Sequence, residues 1–295
     1  MKGNASSWNA IGIINITPDS FSDGGKAISE AGFVASLDYL KLNDIHYFDI
    51  GAESTAPFNK PITQEEEWYR FEKFFIPYLN YFNNKDVLSF DTYRPSIIEK
   101  LCLHFSKNKI TNRIIWNDIS GKYDESVTNL LLKFSNLKYV FSHNLSPERS
   151  ISSSHMDHIL ETNGADEFMK KISDYFEQTE QRVRKDGLLD RVIFDPCFGF
   201  SKSLEQNLIL IDQLNSLVNR FHNQEWMIGI SRKSFLTQLS LDLHNSDKNL
   251  CRELAHFKIL DKWQGQFGRL NCLIRLHNPN IFNMLTRCKS LFELS

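Results

Sequence analysis

The sequence has no apolar run approaching the roughly 20 residues that cross a bilayer, and its opening stretch, Met1 to Ile14, carries neither a basic start nor a sustained hydrophobic segment. The expectation is a soluble, cytoplasmic protein with no membrane partner. Charge of one sign is equally scarce: 34 basic and 36 acidic residues leave a formal net charge of −2, with no long run of either. The electrostatic footprint of a non-specific nucleic-acid binder is therefore missing, and any phosphate must be met by local groups. The five cysteines (Cys102, Cys197, Cys251, Cys272 and Cys288) are odd in number and scattered. They contain no Cys-x-x-Cys pair, which excludes a zinc ribbon or dithiol centre and suits free thiols in a reducing compartment. No repeat of solenoid period and no Pro-rich or Gly/Ser-rich linker is present, so a single domain over residues 1–295 is expected.

What is present is alternation. Short β-rich runs recur at Ala10–Ile14, His46–Ile50, Val87–Phe90, Arg113–Trp116, Tyr139–Ser142, Val192–Phe194, Trp226–Ile230 and Cys272–Ile274. Between them lie stretches of helical period: Trp68, Phe71, Phe75 and Leu79; Phe168, Ile172 and Phe176; Leu204, Leu208, Ile211, Leu214 and Val218. Each set predicts one buried helix face packed on a sheet, with no role in chemistry. Neither Gly24 nor Gly25 belongs to a G-x-G-x-x-G fingerprint, as a doubly wound sheet for dinucleotides would require. Eight alternations without that fingerprint predict an α/β fold of the closed (β/α)8 type, the TIM barrel. Between Asn144 and Gly164 the chain turns polar and loses periodicity, which predicts a long loop after the fifth strand.

Nearly every predicted strand ends in a polar group: Asn15, Asp49 with Glu53 beyond, Asp91, Asn117 with Asp118, His143, Asp195, Lys233, and Arg275 with His277. In a parallel barrel these ends share one mouth. Helix capping accounts for one or two such residues, Asp118 or Ser120 for instance. It does not account for the whole ring, because gathered carboxylates and cations cost several kcal/mol to bury unless paired or bound to a ligand. Asp91, Asn117 and Asp195 offer acceptors to the N–H edge of a flat heterocycle, while Lys233, Arg275 and His277 offer donors to oxygen or phosphate. His155 and His158 lie three apart, but with no third ligand nearby they read as solvated loop residues.

The run from Asn15 to Gly25, Asn-Ile-Thr-Pro-Asp-Ser-Phe-Ser-Asp-Gly-Gly, resembles the first-loop signature of dihydropteroate synthases. Further segments resemble that family in order: Asp49-Ile-Gly-Ala-Glu-Ser-Thr55, Asp91-Thr92, Asn117-Asp-Ile-Ser-Gly121, Asp195-Pro196 through Gly199-Phe200 and Lys202, Ser231-Arg-Lys-Ser-Phe235, and Arg275-Leu-His277. The resemblance implies a folate-pathway transferase and sulfonamide target. It would join 4-aminobenzoate to 6-hydroxymethyl-7,8-dihydropterin diphosphate and release diphosphate. It implies Asp91, Asn117, Asp195, Lys233 and Phe198 as the pterin site, and Asn15, Arg275 and His277 as the diphosphate site. Mg²⁺ is the implied cofactor, on Asn15. Thr17, Pro18, Phe21, Thr55, Phe200 and Ser234 would hold 4-aminobenzoate; Asp91, Lys233 and Asp23 would carry the catalytic roles. It further implies a homodimer.

The sequence departs from the family at named places. Ala56 stands where the family has an arginine that orders the loops around the amine; a lost bidentate pair of that kind would cost loop closure about 1 to 3 kcal/mol, with Lys60 or Lys26 as partial substitutes. Ser142 replaces an apolar wall residue, and Cys197 and Ser201 stand where the family favours glycine. Asn278 replaces an aspartate after His277. Three readings follow: an active synthase, a pterin-binding relative that has lost condensation or takes another amine, and a pterin-dependent methyltransferase. The intact first-loop signature and Ser231-Arg-Lys-Ser234 favour diphosphate chemistry over the last.

Overall fold

A computed structural model describes residues 8–17, 29–54, 60–146, 158–238, 248–266 and 271–292. Eight parallel strands close in chain order: β1 (Trp8–Asn15), β2 (Tyr47–Gly51), β3 (Val87–Asp91), β4 (Arg113–Asp118), β5 (Leu137–Ser142), β6 (Val192–Asp195), β7 (Glu225–Ile228) and β8 (Cys272–Leu276). Pairing of β8 with β1 completes the barrel and leaves no sheet edge. Every predicted strand falls on an observed one, and the (β/α)8 expectation holds.

The outer ring comprises α1 (Glu30–Leu42), α2 (Gln64–Phe74), α3 (Pro95–Lys107), α4 (Glu125–Lys133), α5 (Ala165–Lys185), α6 (Leu204–Arg220), a short α7 (Phe235–Gln238), α8 (Lys248–Gln266) and α9 (Pro279–Phe292). Local chemistry starts them. Ser29, Thr63 and Asp124 accept backbone N–H groups at the first turns of α1, α2 and α4, and Ser203 with Gln206 forms a reciprocal capping box on α6. Pro77 ends α2 early. The expected stripe continues through Phe75 and Leu79, but over Ile76–Tyr81 the chain winds as a 3-10 helix. Phe71 and Phe75 still bury together, each edge-on to Phe90 at 5.8 and 5.2 Å. On α6 the buried face is Leu210, Ile211, Leu214, Leu217 and Val218, whereas Leu204 and Leu208 of the expected stripe stand more than a third exposed. Among the described residues Cys102, Cys197, Cys251 and Cys272 are buried and unbridged, and no helix is long and apolar enough to cross a membrane.

Inside the barrel the strand period of two sorts chemistry by level. Ile11, Val87, Ile115, Val140, Ile193, Met227 and Leu273, with Tyr47 against them, form an apolar plug separate from the larger core under the helices. Two residues further along the same strands, on the same face, stand Asp49, Ser89, Asn117, Ser142, Asp195, Gly229 and Arg275. Seven strands thus change character in one step of the pleat, the β7 position falling on Gly229 just past the strand end, while β1 stays apolar at Ile13 and places its polar group two residues further on, at Asn15. The plug contributes about 1.5 to 3 kcal/mol per side chain by burial, a rigid floor beneath the polar level. Of the polar segment 144–164, the part from 147 to 157 lies outside the described residues.

Candidate functional site

The polar level opens at the C-terminal mouth as a pocket enclosing about 440 Å³ of empty space, its open side included. Asp91, Asn117, Asp195, Phe198, Phe200, Lys233 and Arg275 line it, all anticipated from sequence, together with Ile119, Ser142, Cys197 and Gly229. Gly51 keeps room at one side: a Cβ there would stand 3.3 Å from Asn15 Oδ1 and 3.4 Å from Asp91 Cβ.

Beneath the pocket a fully buried carboxylate, Asp49, organises the ring. It accepts from Ser89 Oγ at 2.5 Å, from Asn117 Nδ2 at 3.2 Å and from Arg275 Nε at 2.5 Å. Arg275 extends its other arm to Asp91 Oδ2 at 2.5 Å. Burial works against the guanidinium charge, but Asp49 and Asp91 outweigh it and hold Arg275 above its ordinary pKa. Burial pushes Asp91 up to about 7, with Arg275 opposing and Asp49 adding to the rise. Asp49 was legible only as one more strand end. Its place under two pocket residues depends on register, which pairs Asp49 with Ser89 across β2 and β3.

The loop from β6 into α6 supplies the opposite wall. Asp195 Oδ1 accepts the Cys197 N–H at 2.7 Å, and burial raises its pKa against that bond and the cations nearby. Cys197, Gly199 and Ser201 all take positive φ, at 55°, 79° and 52°. The two non-glycine residues therefore sit in the left-handed region, at about 1 to 2 kcal/mol each. Ser201 compensates: its Oγ accepts from Leu145 N at 2.9 Å and donates to Asn144 Oδ1 at 3.0 Å. Lys202 is no pocket group. Buried, with no carboxylate bonded to it among the described residues, its ammonium meets His143 Nδ1 and the carbonyls of His143, Cys197 and Phe200 at 3.0 to 3.1 Å. His143, anticipated as a mouth residue, is thereby a fastening between the β5 and β6 loops, its pKa held well below normal by burial and by Lys202.

Lys233 lies 4.1 Å above the Phe200 ring, and burial lowers its pKa. His277 turns toward Ser231, and burial with Arg232, Arg275 and Lys233 around it brings its pKa down to about 3. Ser234 is exposed beyond Lys233, and Thr17 is buried after β1. Asp118 is structural, as the capping alternative allowed, although it closes a turn and does not start a helix: it accepts from Ser120 N, Ser120 Oγ and Tyr139 Oη at 2.7 to 3.0 Å, while Asp124 caps α4. Glu53 is likewise engaged. Arg94 joins it at 2.7 Å and also pairs with buried Glu67, tying the β2 loop to α2 and α3. Pro18, Phe21, Asp23, Lys26, Thr55 and Ala56 lie outside the described residues.

Among the described residues no cluster of three His, Cys, Asp or Glu side chains forms a ready-made metal site. Asn15 offers one hard oxygen at the end of β1. That donor set fits Mg²⁺ only as the ion ordinarily binds at phosphates, with most ligands coming from the anion and water.

A closed (β/α)8 barrel whose strand ends converge on a polar pocket is the architecture of barrel enzymes. The chain belongs to the pterin binding enzyme family, which it matches over residues 11–261. It is 29% identical over 244 residues to the folic acid synthesis protein of Schizosaccharomyces pombe, covering 81% of this chain and 31% of that protein. The chain thus spans about a third of the length of that fungal relative. It is 28% identical over 236 residues to the dihydropteroate synthase of Escherichia coli, covering 78% of this chain and 75% of the other. The fold is shared with a dihydropteroate synthase of Clostridium difficile solved in the presence of pteroic acid, at 21% identity and a TM-score of 0.74 over 99% of both chains.

Proposed function

We propose that this chain is a dihydropteroate synthase, joining 6-hydroxymethyl-7,8-dihydropterin diphosphate to 4-aminobenzoate with release of diphosphate. One observation carries the reading: Asp91, Asn117, Asp195, Lys233 and Arg275 line a single pocket. Two carboxylates and an amide oxygen in fixed places select a flat ring by its N–H edge, and Lys233 donates to a ring oxygen or nitrogen. Phe198 supplies an apolar wall beside them. Arg275 and neutral His277 donate to the diphosphate as the carbon–oxygen bond breaks and its electron pair leaves with the phosphate. Mg²⁺, held by Asn15 together with diphosphate oxygens and water, would offset charge on that leaving group.

The carbon left behind carries positive charge, which the Asp91 carboxylate stabilises. The amine lone pair of 4-aminobenzoate then forms the new carbon–nitrogen bond, and the nitrogen releases its proton. Thr17, Pro18, Phe21, Asp23, Thr55, Phe200 and Ser234 are the residues proposed to seat the amine substrate, Ser234 toward its carboxylate. The functional unit is proposed to be a homodimer. Incubation of the purified protein with both substrates and Mg²⁺ should yield 7,8-dihydropteroate and diphosphate in equal amounts. Tight calorimetric binding of the pterin diphosphate with no product at high protein concentration would instead make it a pterin-binding relative.

A further inference from the structure

His277 follows β8, and two of its polar groups reach one hydroxyl: its backbone N lies 3.2 Å and its ring Nδ1 3.1 Å from Ser231 Oγ. The backbone N–H can only donate, so it occupies one lone pair of Oγ. Two arrangements remain for the ring. With the proton on Nδ1, the ring would donate to the second lone pair, and the Ser231 hydrogen would need another acceptor; none is found for it among the described residues. With the Ser231 hydroxyl donating to Nδ1, all three groups are satisfied and the ring proton sits on Nε2.

We propose that Ser231 is a positioning residue that locks His277 as the neutral Nε2–H tautomer and so presents a hydrogen-bond donor to a phosphate oxygen. The inference rests on the diphosphate-binding reading of this corner for the identity of the acceptor. The surroundings agree with a neutral ring. Arg232 and Lys233 from the β7 loop, Arg275 from β8 and His256 from α8 face His277, and all lower its proton affinity. A second ring proton would also break the Ser231 bond. The cations supply charge to the anion; His277 supplies a directional bond without adding another buried charge. The opposite tautomer would turn a lone pair toward the phosphate.

The test is ¹⁵N NMR of the imidazole nitrogens in the free full-length protein, with His277 assigned by the peaks missing in His277→Gln. The expected spectrum shows Nε2 protonated and Nδ1 as a hydrogen-bonded acceptor, unchanged from about pH 6 to pH 8. Ser231→Ala should lose this single tautomer and bind inorganic pyrophosphate about tenfold more weakly. Ser231→Thr, which keeps the hydroxyl, should restore both. A protonated Nδ1 or a doubly protonated ring in the wild type overturns the proposal, as does unchanged pyrophosphate affinity in Ser231→Ala. Wild-type protein that shows the tautomer but binds no pyrophosphate overturns the diphosphate-site reading instead, so the two failures are distinguishable.

Discussion

Asp91 faces a guanidinium on one side and a second carboxylate beyond it, and burial decides the outcome by pushing its pKa up to about 7. The sign for activity follows. Lowering the pH through that value protonates the carboxylate and removes the charge proposed to stabilise the cationic carbon. The value of kcat/KM should therefore rise with pH through neutrality, approaching about tenfold per unit on the acid limb. Asp91→Asn should be slow at every pH and lack that limb; a limb persisting in this variant would assign the titration to another group. Asp49→Asn tests the support beneath. Arg275 would lose a buried charged partner, a loss of about 1.5 to 3 kcal/mol, and KM for the pterin diphosphate should rise roughly ten- to a hundredfold with folding retained. An unchanged KM would mean that Asp91 alone orients Arg275. At this scale the sequence announced the pocket residues by type and position, and Asp118 was readable as a cap-like residue, but strand-end position alone did not separate Asp195 in the pocket from His143 outside it. Side-chain reach distinguishes them, because Lys202 lies within bonding distance of His143.

The connections between strands and helices carry the strain. Gly121, after β4, has a φ of 68°, and a Cβ there would stand 2.7 Å from Asn144 O and 2.8 Å from both Ser142 O and the Tyr175 hydroxyl. Gly121→Ala should cost about 2 to 4 kcal/mol, from backbone strain and displaced backbone neighbours together, read as a lower denaturant midpoint. Ser201→Gly sets two effects against each other. Glycine relieves a left-handed residue worth about 1 to 2 kcal/mol, yet it strands the Leu145 N–H at about 1 to 3 kcal/mol, Asn144 Oδ1 keeping the Ser146 N–H, and adds about 0.5 to 1 kcal/mol of unfolded-state entropy. The variant should be less stable by about 1 kcal/mol, and a gain in stability would show that the hydroxyl bonds matter less than the strain. The presence of side chains at Cys197 and Ser201 was legible as a departure. Its compensation was not, since the partners of Ser201 lie in the β5 loop, more than fifty residues upstream in sequence. The end of α2 shows a related limit: the apolar period runs on past Pro77, but the imide removes a donor and the winding changes, so that Ile76 and Leu79 pack only partly buried against the core.

At the scale of the barrel, stability and chemistry occupy alternate levels of the same strands. Ile11→Ala, in the plug, should lower global stability by about 2 to 5 kcal/mol while leaving KM for the pterin diphosphate unchanged in the molecules that remain folded. A parallel rise in KM would mean that the plug transmits its relaxation to the ring above. The closed barrel was legible from the eight alternations, but the two levels were not, because a shift of one residue in any predicted strand exchanges the inward and outward sets. Register supplies that information, and it comes from the neighbouring strands.

The ring of acceptors also acts as a ruler. Asp91 and Asn117 are direct register partners on β3 and β4, so their backbones stand one inter-strand spacing apart, about 4.8 Å, a distance set by peptide hydrogen bonds and insensitive to side-chain packing. Because the sheet has no free edge, neither strand can slide without breaking its pairing on both sides. The heterocycle proposed for this pocket would thus meet two acceptors whose backbone roots are spaced by the repeat of the peptide chain itself, leaving only side-chain torsions to adjust their reach.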